Sequence, residues 1–209
     1  MISAAGDAGV DPVRAKRAAR ERALAARDAL QPRARARLSA AVCARAAALP
    51  EARRATAVLL FASFRSEVDT APLLQAFLER GVTVALPRVR GPRDMEGVLV
   101  EDPAADLVSG HCGIPEPHGG LPVVEPERFD LVVVPGAAFC VDGARCGYGG
   151  GFYDTYLPLL RPGVPRVALA FEVQVVDELA CEPHDLRVDV IVTETRVIRP
   201  PQPAGERQD

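Results

Sequence analysis

The chain is 209 residues long, 48% hydrophobic and 25% charged, with a formal net charge of −3. That length suits one domain with a continuous core, and the charge balance gives no general reason to bind nucleic acid or an anionic membrane. No apolar run approaches the roughly 20 residues that span a bilayer, and the opening MISAAGDAGVDP lacks the basic and apolar blocks of a secretory signal, so a cytoplasmic protein is expected.

Two stretches rich in Ala, Arg and Leu, 12–30 and 33–49, predict helices, punctuated by Pro32 and Pro50. The run AVLLF (57–61) predicts a strand, and TAPLLQAFLER (70–80) a helix that ends at Gly81. Further strands are expected at VTVAL (82–86), LVVVP (131–135), RVALAF (166–171) and VDVIVT (188–193). Each is short, β-branched and apolar throughout, as strands covered on both faces should be. They alternate with helical segments, among them 151–161 and 173–180. This order predicts a three-layer α/β/α fold with a mostly parallel sheet, in which ligands bind at the carboxyl ends of the strands. Residues 87–129 read as an irregular insertion with one strand near GVLV (97–100). Disorder is expected for 1–11 and 200–209, leaving 12–199 as a single α/β domain.

Five cysteines, at 43, 112, 140, 146 and 181, are odd in number and lack C-x-x-C spacing, so free thiols are expected in place of a disulfide framework or a structural zinc site.

The stretch GARCGYGGGFYDTYL (143–157) is the most unusual. Gly147, Gly149, Gly150 and Gly151 leave backbone N–H groups uncovered and free to curl round an anion. A helix starting near Gly151 would add its dipole at the same place. Arg145 could then clamp phosphate oxygens in a forked contact, and Asp154 could hold a magnesium ion that the phosphates share. A nucleoside triphosphate or another phosphate ester fits these features together. The bland alternative is a flexible glycine-rich turn with Asp154 solvated. There is no G-x-x-x-x-G-K-[ST], and the glycines lie about a dozen residues beyond the preceding strand instead of at its end, unlike a dinucleotide fingerprint.

Taken whole, PGAAFCVDGARCGYGGGFYD (135–154) resembles the motif P-G-x-A-F-D-x-x-G-x-R-L-G-x-G-x-G-Y-Y-D of the 5-formyltetrahydrofolate cyclo-ligase family, whose members are also called 5,10-methenyltetrahydrofolate synthetases. The likeness extends along the chain: KRAAR (16–20), SEVDT (66–70), LPRV (86–89), GIPEP (113–117), Gln174 and the His184–Asp185 pair match further family segments in order. Cys140, Cys146, Phe152 and Thr155 depart from the usual Asp, Leu, Tyr and Arg.

The resemblance implies a fold like that of sugar-phosphate isomerases and CoA-transferases. It implies an ATP-dependent cyclisation of 5-formyltetrahydrofolate to 5,10-methenyltetrahydrofolate that releases ADP and phosphate. ATP would be bound by Lys16, Arg20, Arg145, Gly147, Tyr148, Gly149, Gly150, Gly151, Phe152 and Tyr153. Folate would meet Glu67, Tyr148 and Phe152, and Mg2+ would sit on Asp154 and Asp185. Both partners would be small molecules, with no nucleic acid or membrane involved and the protein a monomer or weak homodimer. Lys16, Arg20 and Arg27 fall within about 40° of one another on a helix; Arg27 has no family match and is expected to face water. Two alternatives stay open: an isomerase- or transferase-like enzyme that needs no ATP, and a non-catalytic folate- or nucleotide-binding protein.

Overall fold

The structure, a computed structural model, describes residues 11–180 and 186–201. The chain opens with helices α1 (Pro12–Asp28), α2 (Pro32–Ala47) and the short α3 (Pro50–Arg54). Asp11 caps α1, its side chain accepting from the Val13 N–H at 3.0 Å, which satisfies one donor left open at the helix start. Strand β1 (Ala57–Leu59), helix α4 (Ala71–Glu79) and strands β2 (Thr83–Gly91) and β3 (Asp94–Leu99) follow. Next come α5 (Pro103–Asp106), β4 (Leu107–Ser109), β5 (Pro115–Pro117) and β6 (Val123–Val124). Then β7 (Leu131–Val134), β8 (Ala138–Cys140) and β9 (Arg145–Cys146) lead into α6 (Phe152–Tyr156). The last strands are β10 (Arg166–Leu169), β11 (Val175–Val176), β12 (Val190–Val192) and β13 (Val197–Ile198).

Eight strands form one sheet in the order β13-β12-β10-β7-β1-β2-β3-β6. Strands β12, β10, β7, β1 and β2 run parallel, and β13, β3 and β6 join antiparallel at the edges. Successive residues of the parallel strands alternate between two cores. Val58, Leu131, Val133 and Val167 meet Val42, Leu73 and Phe77 from α2 and α4. Leu59, Val132, Val134 and Ile191 meet Phe129, Phe139, Tyr156 and Leu157 on the other side. Both faces are therefore dry, which is why these strands lack polar alternation. The α/β class and the mostly parallel sheet are as the sequence predicts.

Three expectations change. The helix expected over 151–161 is only α6, followed by a 3₁₀ turn at Leu157–Leu159, because Pro158 has no N–H and its ring crowds the preceding turn. Residues 173–180 do not form a helix: a 3₁₀ turn at Glu172–Gln174 runs into β11, in keeping with the β-branched Val173, Val175 and Val176. The stretch 87–129 is more regular than expected. Strand β2 continues past its contact with β1, folds back onto β3, and is followed by β4, β5 and β6. Pro87 is tolerated there because β1 pairs with β2 only through Thr83, Val84 and Ala85, so no ladder on that side needs its missing N–H.

The chain passes from β1 to β2 on one side and later to β7 on the other. That reversal opens a crevice outside the carboxyl ends of β1 and β7, the usual ligand position in open α/β sheets.

Candidate active site

The loop that leaves β1 places Glu67 at this crevice, and its own residues hold it in shape. Thr70, 3% exposed, donates to the Phe61 carbonyl at 2.8 Å and accepts from the Ser63 N–H at 3.2 Å. Glu67 Oε2 accepts from the Phe64 N–H at 2.8 Å, and the Glu67 N–H donates back to the Phe64 carbonyl. Glu67 Oε1 accepts from the Tyr148 hydroxyl at 2.5 Å. Burial raises the Glu67 carboxyl above its ordinary pKa, offset in part by these two donors and by the charge of Arg27. The Tyr148 phenol is held above its own ordinary value, by burial first and then by the Glu67 charge.

After β7, Pro135 and Gly136 turn the chain into a small second sheet of β11, β8 and β9. Gln174, 1% exposed, fixes that turn by donating to the carbonyls of Gly136 and Ala137 at 3.0 Å each. Pairing of Phe139 with Arg145 sets Arg145 on a strand immediately before the glycine loop. Its side chain is 6% exposed; Nη2 donates to Asp154 Oδ1 at 2.6 Å and Nη1 to the Pro135 carbonyl at 3.3 Å. The guanidinium carbon lies 5.8 Å from the Tyr153 ring centroid. Arg145 Nε and the Tyr153 hydroxyl are buried without a partner among the described residues, an uncommon state that fits donors awaiting a ligand oxygen.

The glycine loop needs its glycines at two places above all. Gly149 and Gly151 have φ of +97° and +71°, a region costly for residues with a Cβ. A Cβ at 151 would also lie 2.8 Å from Arg93 Nε. Arg20, on α1, donates from Nε to the Gly147 carbonyl at 2.8 Å. Gly149→Ala is therefore expected to distort the loop and weaken phosphate binding. Its melting temperature should fall by roughly 2–8 °C, since the strain is about 1–2 kcal/mol. Nucleotide titration and a thermal melt check the two together.

Helix α1 reaches the site because Ala19 and Ala23, 4% and 2% exposed, let it approach closely; Ala23 packs with Ala138 and Cys146. Lys16 is partly buried on the same side of the helix. Arg27 does not face water. It is 4% exposed and donates to Ser66 Oγ at 3.0 Å and to the Tyr148 hydroxyl at 2.5 Å. Because the Ala19 and Ala23 side of α1 is the packed side, Arg27 follows it inward.

Asp185 and His184 lie outside the described residues. Asp154 is brought against Arg145, and its side chain is 30% exposed. No group of three or more His, Cys, Asp or Glu that could cage a metal occurs among the described residues. Cys43, Cys112, Cys140 and Cys146 are free thiols. Burial pushes the Cys43 thiol up to about 11, so it stays protonated at neutral pH. No described helix is long and apolar enough to cross a membrane.

The profile of the 5-formyltetrahydrofolate cyclo-ligase family matches residues 12–194. The 5-formyltetrahydrofolate cyclo-ligase of Escherichia coli K12 is 32% identical over 82% of this chain and 96% of its own. A probable 5-formyltetrahydrofolate cyclo-ligase from Schizosaccharomyces pombe is 29% identical over 77% of this chain and 86% of its own. Among solved structures, the 5,10-methenyltetrahydrofolate synthetase of Aquifex aeolicus superposes with a TM-score of 0.79 at 34% identity, covering 92% of this chain and 96% of that one.

The chain belongs to the 5-formyltetrahydrofolate cyclo-ligase family.

It is accordingly an enzyme of the ligase class, and the relatives favour neither alternative reading of the sequence. Seen with the family in place, the matched segments meet in space. The LPRV and GIPEP segments touch where buried Glu116, 8% exposed, accepts from the N–H groups of Val89 at 3.3 Å and His111 at 3.0 Å. Phe152 lies at the glycine loop with the His111 ring edge-on to it at 5.9 Å. Sequence reasoning missed Arg93. This residue sits at the tip of the β2–β3 hairpin with φ +60°, its carbonyl accepts from Thr155 Oγ1, and its guanidinium lies over Gly151. Nothing in the local sequence announces it, because the hairpin that delivers it was not expected.

Proposed function

We propose that the chain performs its family's reaction, closing 5-formyltetrahydrofolate to 5,10-methenyltetrahydrofolate with conversion of ATP to ADP and phosphate. The observation that carries this reading is the convergence, at one crevice, of two different kinds of subsite. One is a fixed carboxylate and phenol, Glu67 and Tyr148. The other is a glycine loop flanked by Arg20 and Arg145.

The formyl oxygen on N5 is a poor leaving group. Attack of that oxygen on the γ-phosphorus of ATP breaks the bond to ADP and leaves an iminium phosphate. N10 then attacks the activated carbon, loss of its proton follows, and inorganic phosphate departs with the former formyl oxygen. No protein nucleophile is needed, so the chain's task is to hold two substrates in line and to stabilise phosphate charge. Glu67 accepts from pterin N–H groups and fixes the folate end. Arg145, Arg20, Lys16 and the N–H groups of Gly147, Tyr148, Gly149, Gly150 and Gly151 hold the phosphates. Phe152 and Tyr153 line the same mouth, and Tyr148 faces both subsites.

Magnesium fits this site in one form. Asp154 Oδ1 is engaged by Arg145, while Oδ2 has no hydrogen bond among the described residues. One half-exposed carboxylate suits an ion held mainly by nucleotide phosphates rather than by a protein cage. Asp154, joined by Asp185, would hold the ion, which when bound supplies charge neutralisation at the phosphates.

The decisive assay follows phosphate release and methenyl product from ATP with 5-formyltetrahydrofolate. Glu67→Gln sharpens it. The amide oxygen can still accept from Tyr148, but its NH2 then confronts the Phe64 N–H. Losing a charge-assisted contact of about 1.5–3 kcal/mol should raise KM for the folate at least tenfold, with KM for ATP changed less than twofold. If ATP binding suffers instead, the two substrates lie the other way round.

A further inference from the structure

Arg27 belongs to no subsite named so far, yet it is one of the most deeply withdrawn charges of the described residues, at 4% exposure. A guanidinium taken out of water must have its N–H groups met and its charge balanced. Its partners among the described residues are two neutral hydroxyls: Nε donates to Ser66 Oγ at 3.0 Å, and Nη1 to the Tyr148 oxygen at 2.5 Å. Each hydroxyl turns its single proton toward a carboxylate, Ser66 to Asp28 Oδ1 and Tyr148 to Glu67 Oε1, with the Gly136 carbonyl a longer alternative for Tyr148 at 3.4 Å. An arginine can only donate, so a hydroxyl that accepts from it must turn its own proton away. Arg27 thereby sets the direction of both O–H bonds, and its counter-charges stand one hydroxyl away on either side. Its guanidinium carbon also lies 5.6 Å from the centroid of the Tyr148 ring, on a residue that is 45% exposed overall.

We propose that Arg27 is a positioning residue for the folate half of the reaction, acting through Tyr148 to aim the phenol proton at Glu67 and keep that carboxylate a fixed acceptor. This rests on Glu67 being the folate contact. A mere tether between α1 and the glycine loop would not require a relay whose two hydroxyls each end on a carboxylate. The groups facing Glu67 are few. Arg27 comes from α1 and Tyr148 from the glycine loop; Tyr153, whose phenol feels the Glu67 charge, comes from α6. The Phe64 N–H comes from its own loop, where Arg65 leans over the Phe64 ring at 5.0 Å. Asp28, on α1, accepts from the same Ser66 hydroxyl that Arg27 meets. Burial raises the Glu67 carboxyl and Arg27 opposes that rise. Without Arg27, Glu67 takes up its proton at a higher pH, and the acceptor is lost sooner as pH falls.

Arg27→Leu, Arg27→Lys, Tyr148→Phe and the double variant Arg27→Leu/Tyr148→Phe test the proposal by steady-state kinetics in each substrate across pH. Arg27→Leu should raise KM for 5-formyltetrahydrofolate about tenfold and leave KM for ATP within about twofold. It should also move the acid limb of the folate kcat/KM profile to higher pH. Arg27→Lys should recover part of the loss. The double variant should be little worse than Tyr148→Phe alone, because residues that act in series are not additive. Additive losses, or equal effects on both substrates, would overturn the proposal and leave Arg27 a tether. Should Arg27→Leu fail to fold, Arg27→Lys with and without Tyr148→Phe carries the same cycle.

A second measurement separates this from the reaction itself: the carboxyl ¹³C titration of Glu67 in the ligand-free protein. A rise in its midpoint in the Arg27 variant without cyclisation by the wild type keeps Arg27's control of Glu67 and removes the substrate. Cyclisation with an unmoved midpoint removes the role of Arg27.

Discussion

Arg145→Ala is expected to raise KM for ATP by about tenfold to a hundredfold, the equivalent of one forked, charge-assisted contact of about 1.5–3 kcal/mol. The structure adds a second consequence. Arg145 is buried at 7% exposure, paired with Asp154 and set over Tyr153, so alanine strips a carboxylate of its partner and opens space beneath an aromatic ring. Asp154 keeps partial access to water, which places the stability loss between that of an exposed pair and a buried one, about 2 kcal/mol. A drop of roughly 4–8 °C in melting temperature follows for a chain of this size. Arg145→Lys separates the two effects: it keeps the charge and most of the packing but loses the fork. It should melt close to wild type while ATP binding stays impaired. Isothermal titration with a non-hydrolysed ATP analogue and a thermal melt decide it; unchanged nucleotide affinity in both variants would take Arg145 out of the site.

Much of this was legible in the chain because the signals were local. A glycine run beside an arginine needs no tertiary context to suggest an anion cradle, and uninterrupted β-branched runs identify strands covered on both faces. Glu67 was legible only through the likeness of SEVDT (66–70) to a family segment; Thr70 proves to hold the loop that presents it. What escaped depends on distant partners. Arg27 was expected in water, yet Ala19 and Ala23 share its side of α1, and two small residues four apart beside cations mark a side that packs. The Arg145–Asp154 pair could not be inferred from a separation of nine residues, because a loop with two left-handed glycines brings them together. Arg93 depends on the β2–β3 hairpin, whose run past β1 no local periodicity predicts.

That ion pair changes what Asp154→Asn should do. Asparagine can still offer a carbonyl oxygen to Arg145 Nη2, so the fold should lose only about 1 kcal/mol, as for a pair with one member in partial contact with water. Arg145 is then released from its counter-charge and stays cationic. Its attraction for nucleotide phosphate should hold or strengthen, so KM for ATP should stay level or fall, opposite to Arg145→Ala. Turnover should nevertheless drop steeply at saturating ATP, because a hard cation prefers a charged oxygen and phosphoryl transfer relies on it to neutralise developing charge. The magnesium concentration for half-maximal rate should rise, and Asp185→Asn should give a weaker version of the same change. Magnesium titrations of kcat at fixed saturating ATP read this directly. Wild-type turnover by Asp154→Asn at limiting magnesium would place the metal elsewhere and reduce Asp154 to the counter-charge that keeps Arg145 in position.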